Sequence, residues 1–210
     1  MNKIIVIAHQ KGGVGKSTIA ANLATELSKK FQVDIIDLDL QKSLTYYNNL
    51  RSNSGLNPLN VIQVDSPTML KAIINNNQKL LLIDAGGYDS DINRVAISGA
   101  DILITPVSDS GIELVGLLAF RTILRDIRTF RPDIKANVLL NKIHTRAGNA
   151  SLEEIYSFIN ENPEFSRLTS ILRDRIDYKR AFDCGKSVVE FNNKAAQEMK
   201  GLIDEVIKNG

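Results

Sequence analysis

His9-Gln10-Lys11-Gly12-Gly13-Val14-Gly15-Lys16-Ser17-Thr18 follows the apolar run Ile4-Ile5-Val6-Ile7 and precedes a helical pattern that begins at Ile19. The order is strand, glycine loop, helix. Three glycines within four positions let the backbone curl so that successive N–H groups point inward. The following helix adds its unpaired N–H groups and the positive end of its dipole. Such a concavity binds phosphate. Gly12, Gly13, Val14, Gly15 and Thr18 form its walls, Lys16 can reach the outer phosphates of a nucleotide, and the Ser17 hydroxyl can ligate the Mg²⁺ that bridges them. Two features depart from the usual GxxxxGK[ST] pattern: Gln10 stands where its first glycine would be, and a second lysine, Lys11, immediately precedes the glycine pair.

Working outward, Val33-Asp34-Ile35-Ile36-Asp37 is a strand that runs into Leu38-Asp39-Leu40-Gln41, and Leu80-Leu81-Leu82-Ile83 is a continuous apolar run closed by Asp84. Unbroken apolar runs of this kind suit parallel strands buried on both faces, and ligands bind at the carboxyl edge of such a sheet. Asp37, Asp39 and Asp84 are therefore candidates to hold a metal's water shell, and Asp39 to orient the water that attacks a terminal phosphate. Further strands are expected over 61–64, 101–107, 136–141 and, briefly, 169–172. Helices are expected over 17–30, 43–50, 112–131, 151–160 and 193–208, with another capped by Ser66 and opened by Pro67. Asn141, at a strand end, could hydrogen-bond an adenine. His9 and His144 are lone histidines, the first in the phosphate loop and the second at the surface.

The chain has 210 residues, 43% of them hydrophobic and 24% charged, which suits one α/β domain over residues 1–210 with a full core. The single cysteine, Cys184, excludes an internal disulfide framework and any cluster needing several thiolates from one chain. A reducing cytoplasm is expected. The strand beginning at Lys3 leaves no room for a signal peptide, and no apolar run is long enough to span a membrane. Positive charge is uneven: residues 121–186 hold 13 of the 26 Lys and Arg against 9 acidic residues, whereas residues 1–120 hold 10 basic and 11 acidic. Arg121, Arg125 and Arg128 recur at helical spacing opposite an apolar side of Leu117, Leu118, Leu124 and Ile127, so the arginine stripe is expected to face out. With Arg173, Arg175, Lys179 and Arg180 they are the candidate DNA phosphate contacts. In the last helix Ala195, Met199, Leu202, Ile203 and Val206 share a side suited to packing on the sheet, and Lys208-Asn209-Gly210 carries too little charge for a lipid anchor.

The KGGVGKST loop resembles the deviant Walker A box of the ParA/MinD family of ATPases, and Asp37-Leu38-Asp39-Leu40-Gln41 its Walker A′ box, with Asp84 in the Walker B position. The motif order and small size are similar to those of the short plasmid-type, ParF-like ParA proteins. The resemblance implies a P-loop fold with a mostly parallel sheet flanked by helices on both faces, and ATP and Mg²⁺ as ligands. It also implies a homodimer sandwiching two nucleotides, in which Lys11 crosses to the partner's nucleotide. Nonspecific DNA binding, and slow hydrolysis stimulated by a ParB-like or other small DNA-binding adaptor, would serve plasmid or chromosome partition. Such a protein is nucleoid-associated when ATP-bound. Two departures stand out. Ala85-Gly86-Gly87 replaces the usual Asp-x-Pro and suggests a mobile switch. Asp109 stands where the Pro-x-x-Pro-Ser-x-x-Asp pattern has its second proline, although Pro106, Ser110 and Glu113 fit. A ParA-like positioner of a protein cargo, a membrane-recruited MinD-like regulator and a small-molecule ATP-dependent enzyme are the alternatives. Electron transfer as in the nitrogenase iron protein is set aside for want of a second cysteine.

Overall fold

The apolar runs pair side by side as parallel strands in a computed structural model that describes residues 2–109, 112–145 and 150–209. Strands β1 (Lys3–Ile7), β2 (Val33–Asp37), β3 (Asn60–Val61), β4 (Leu80–Asp84), β5 (Ile102–Val107), β6 (Ala136–Ile143) and β7 (Phe165–Arg173) form one sheet in the order β3-β2-β4-β1-β5-β6-β7, parallel at every pairing. Between and after them come α1 (Lys16–Leu27), α2 (Ser43–Asn53), α3 (Pro67–Asn75), α4 (Asp91–Gly99), α5 (Ile112–Arg128), α6 (Ala150–Glu161), α7 (Ile176–Asp183) and α8 (Lys194–Asn209). Side chains alternate across a strand, so β1 and β4 feed two cores. Ile4, Val6, Leu81 and Ile83 meet α4 and α5 on one face, whereas Ile5, Ile7, Leu80 and Leu82 meet α1 and α8 on the other. Each fully buried Leu or Ile contributes roughly 1.5–3 kcal/mol. The helices therefore cover both faces, and the seven-stranded α/β fold matches the expectation.

Register fixes the site. Ile7 and Asp37 both pair with Asp84, so the carboxyl ends of β1, β2 and β4 are level. By the two-residue period Asp37 and Asp84 lie on the α1 face, where that helix begins with Lys16 and Ser17.

Four elements differ from expectation. α4 was not expected, because its nine residues follow a glycine-rich loop; Ser90 caps it by accepting from the Asn93 N–H at 3.3 Å. α7 falls on a segment expected only to be charged, yet it buries Tyr178 and Ala181. β7 starts four residues earlier than expected. Ser166, Arg167, Thr169 and Ser170 make it look polar because it is an edge strand, and Glu205 of α8 accepts from the Thr169 and Ser170 N–H groups at 2.7 and 3.0 Å. β3 is two residues long. On α5 the buried stripe is Leu117, Phe120, Leu124 and Ile127, while Leu118 is exposed. In α8 Ala195, Met199, Leu202, Ile203 and Val206 are all buried as expected. Ser110 and the side chain of Glu113 lie outside the described residues.

Candidate active site

The loop between β1 and α1 takes its shape from two left-handed glycines. Gly13 and Gly15 have φ of 79° and 95°, a region that costs other L-residues about 1–2 kcal/mol. The end of β6 braces the loop from outside: Asn141 Nδ2 donates to the Val14 carbonyl at 2.7 Å, and Lys142 Nζ to the Gly13 carbonyl at 2.6 Å. Lys16 is buried, with Nζ donating to the Lys11 carbonyl at 3.3 Å. Burial lowers its pKa, and the charges of Asp84 and Asp39 oppose that shift. A buried ammonium held by one long bond to a backbone carbonyl, with carboxylate charge nearby, is poised to exchange that bond for phosphate oxygens.

The three aspartates do different work. Asp84 is fully buried, and among the described residues neither carboxyl oxygen has a well-formed hydrogen bond, although the Ser17 hydroxyl is close. Burial pushes its pKa up to about 7, against the Ser17 hydroxyl and the Lys16 charge, while Asp37 and Asp39 push the same way as burial. Leaving such a group unpaired costs free energy, and a divalent cation beside it would remove that cost. Asp37 is otherwise committed. Its Oδ2 accepts from the backbone N–H and hydroxyl of Thr45 at 2.9 and 3.0 Å, and its Oδ1 from the Asp39 N–H at 3.2 Å, so it anchors the start of α2. Asp39 is half-buried on the cavity wall, its Oδ1 accepting from the Gln41 N–H at 2.9 Å. Among the described residues no three His, Cys, Asp or Glu side chains converge as a metal cage. That suits Mg²⁺, which keeps waters and binds through few protein oxygens plus substrate phosphates. Ser17, with Asp84 through water, would hold it, and it would draw charge from the terminal phosphate.

Two adjoining cavities complete the site. One of about 350 Å³ is lined by Gly13, Lys16, Thr18, Asp39 and Tyr46, and a second of about 390 Å³ by Asn141, Asp174, Tyr178 and Lys179. Gly15, Thr18, Lys142 and Phe182 border both. The first contains the phosphate-binding parts and the second has the mixed walls of a base pocket. Asn141, with its amide nitrogen committed to the loop, keeps its Oδ1 for a ligand. On the opposite rim a Cβ on Gly87 would lie 3.4 Å from both Gly12 N and Lys16 Nζ, so the segment after β4 lies against the loop. Asn93 holds that segment, accepting from the Gly86 N–H at 3.2 Å and donating to the Tyr88 carbonyl at 2.8 Å.

The basic residues do not form one free surface. Arg121 donates to Asn162 Oδ1, Arg125 pairs with Glu164 at 2.7 Å, and Arg128 donates to the carbonyls of Ile134 and Pro163 at 3.2 and 3.1 Å. The stripe thus grips the segment between α6 and β7 instead of simply facing solvent. Arg173 donates to the His144 carbonyl at 3.0 Å, and Arg175 pairs with Glu198 at 2.7 Å. Lys179 and Arg180 on α7 are exposed, with no ion pair or hydrogen bond among the described residues. His144 is exposed, as expected.

Sequence reasoning assigned no role to Lys142, Tyr46, Phe182 or Asn93. Lys142 carried a signal, since it follows the strand-end Asn141; the others come from elements distant in sequence.

The family model for the CobQ/CobB/MinD/ParA nucleotide-binding domain matches residues 5–188. Among curated proteins the chain is 25% identical, over 97% of its length and 95% of theirs, to the maintenance of carboxysome distribution protein A of Halothiobacillus neapolitanus. It is 32% identical to a ParA protein of Rhizobium radiobacter over 52% of this chain and 50% of that one. The same fold recurs, at 20% identity, in a plasmid partition protein of Borrelia burgdorferi solved with AMPPNP, with a TM-score of 0.77 and full coverage of both chains. It also recurs in McdA from Cyanothece, with a TM-score of 0.77, 20% identity and coverage of 97% and 99%. With a lysine-bearing glycine loop at the start of α1 and an orphaned carboxylate at the end of β4, the chain belongs to the CobQ/CobB/MinD/ParA nucleotide-binding family and is an ATPase.

Proposed function

We propose that this ParA-like positioning ATPase is a partition switch. Two copies close face to face over two ATP molecules, the pair binds DNA without sequence preference, and an adaptor of the ParB-like or small DNA-binding kind triggers hydrolysis and release. The observation that carries this reading is the rim of the phosphate cavity, where Gly12 and Gly13 are exposed, Tyr46 is 57% exposed, and Leu40, 79% exposed, stands in the chain between the lining residues Asp39 and Gln41. Large apolar side chains exposed at a ligand's edge suit coverage by a second molecule, and Lys11 enters the loop on this side. In the closed pair Lys11 meets the partner's phosphates, Asp39 orients the attacking water, and the charges of Lys179 and Arg180, doubled by dimerisation, contact DNA phosphates. Among the described residues no helix is long and apolar enough to cross a membrane. The apolar face of α8 packs on the sheet, which argues against a lipid anchor.

A protein cargo is the second reading, favoured by the end-to-end match to the carboxysome distribution protein. The two readings share the dimer and differ in the adaptor. Sedimentation with a non-hydrolysable ATP analogue or ADP, followed by a salt titration of binding to two unrelated duplexes, tests the shared part. A monomer under ATP would sink the sandwich. A dimer that ignores DNA at low salt would overturn DNA binding and leave the protein-cargo or membrane-recruited readings.

A further inference from the structure

We infer that His9 is a positioning residue for Lys11: it fixes the entry of the phosphate loop against α5, and Lys11 acts through the placement that His9 gives it. The imidazole has no exposed surface. Its Nδ1 accepts the Lys11 backbone N–H at 3.0 Å, so the hydrogen bond reaches the residue whose side chain distinguishes this loop from the common pattern. Its other nitrogen, Nε2, is buried without a partner among the described residues. A nitrogen left in that condition is costly, and leucine would be a less demanding occupant, so packing alone does not account for a histidine here. On its far side the ring stacks on Phe120 of α5, with centroids 6.4 Å apart and planes at 28°. It is also pressed against Gly116, where a Cβ would come within 2.6 Å of His9 Cε1. α5 thus approaches the ring at a glycine, and the ring transmits that approach to the Lys11 backbone.

Acceptance at Nδ1 requires the neutral ring with its proton on Nε2. Burial, with Lys16 and Lys11 nearby, holds the pKa down at about 4, so the acceptor persists at neutral pH. Replacing His9 with leucine keeps apolar volume and removes the acceptor. Replacing it with asparagine puts Oδ1 at the Nδ1 position and restores it.

The role rests on ATP use and holds whether Lys11 meets the nucleotide of its own subunit or of a partner, so ATP turnover is the readout and self-association is followed separately. His9→Leu should lower kcat about tenfold while KM for ATP moves less than threefold, and His9→Asn should recover most of the loss. In the Lys11→Ala background, already slow, His9→Leu should cost little more, because the placed side chain is gone. Gly116→Ala, which pushes on the ring from α5, should reproduce the kcat loss despite the better helix former. Thermal unfolding of each variant separates misfolding from misplacement. An unchanged kcat in His9→Leu, an equal loss in His9→Asn, or a full additional tenfold loss in the Lys11→Ala background would each overturn the assignment. If the parent stays monomeric with ATP yet these kinetic relations hold, the dimer reading fails and the positioning role stands.

Discussion

The loop region and the basic half of the molecule treat their charged groups differently. Around the phosphate loop, both Asp84 oxygens and the Nε2 of His9 are buried without a partner among the described residues, and the Lys16 ammonium is withdrawn from solvent. Across α5 and the segment before β7, Arg121, Arg125 and Arg128 are each matched to an acceptor, and only the second oxygen of Glu164, the partner of Arg125, is buried and left over there. Unpaired buried groups cost free energy that a fold must offset elsewhere, and they persist where a ligand completes them. Matched arginines need no ligand. The difference separates residues placed for chemistry from residues that hold the fold together, even though both kinds are charged.

The largest effect expected from breaking that contrast is at Lys16. Lys16→Ala should weaken Mg²⁺-ATP binding by roughly 10²-fold or more, since it removes a charge-assisted bond in a dry site; titration with a fluorescent ATP analogue measures it. Binding close to that of the parent would show that the backbone cradle alone holds the phosphates. Asp39→Ala should retain ATP binding and ATP-dependent self-association while hydrolysis falls by about 10²–10⁴, the usual range for a proton-handling side chain. Phosphate release under single-turnover conditions reports the step, and parent-like turnover would remove Asp39 from the mechanism.

Asp84 makes a pH-dependent prediction. Its folded pKa, about 7, lies above the ordinary 3.8, so the folded protein holds this proton longer than the unfolded chain does. The stability it contributes is present in full below about pH 4 and is lost as pH rises through about 7. Asp84→Asn, which never ionises, should therefore raise Tm by about 5–10 °C at pH 8 and by little at pH 4, while impairing use of Mg²⁺-ATP. His9, held at about 4 against an ordinary 6.5, contributes the opposite slope between those values. Subtracting the parent's pH curve from the variant's leaves the Asp84 part. A Tm gain that does not change with pH would sink the orphaned-carboxylate argument.

The smallest effects sharpen the other side of the comparison. Removing both Lys179 and Arg180 should weaken binding to any duplex by about tenfold and flatten the salt dependence by about 0.9 for each phosphate no longer neutralised. Arg125→Ala should leave DNA affinity nearly unchanged. Its cost should appear as a loss of about 2–4 °C in Tm, corresponding to roughly 1 kcal/mol for a half-exposed pair that leaves Glu164 unmatched. If the two variants exchange phenotypes, matched and unmatched charges have been assigned to the wrong roles.

Much of this was legible in one dimension because the carriers are local. A glycine loop between an apolar run and a helix, and aspartates that close two further runs, are patterns of neighbouring residues, and parallel pairing aligns them at one edge. The same local reading failed for α4, α7 and the first half of β7. Their apolar positions are few, and what stabilises them comes from afar: Phe165, Ser166 and Arg167 pair with Ala136, Asn137 and Val138 of β6, Arg94 of α4 donates to Asp126 of α5 at 3.1 Å, and Asn22 of α1 accepts from the Val188 N–H at 2.7 Å to hold the turn after α7.

The sequence by itself determined the phosphate loop, its extra lysine, the sheet-edge aspartates and the two-faced α/β plan, since each depends on spacing and on the backbone preferences of adjacent residues. Only the tertiary structure decided which aspartate stands unpaired and which anchors a helix, that the arginine stripe is internally engaged, and that His9 joins α5 to Lys11. Those distinctions depend on which groups from distant elements come within hydrogen-bonding range, and on whether water can reach the groups left over.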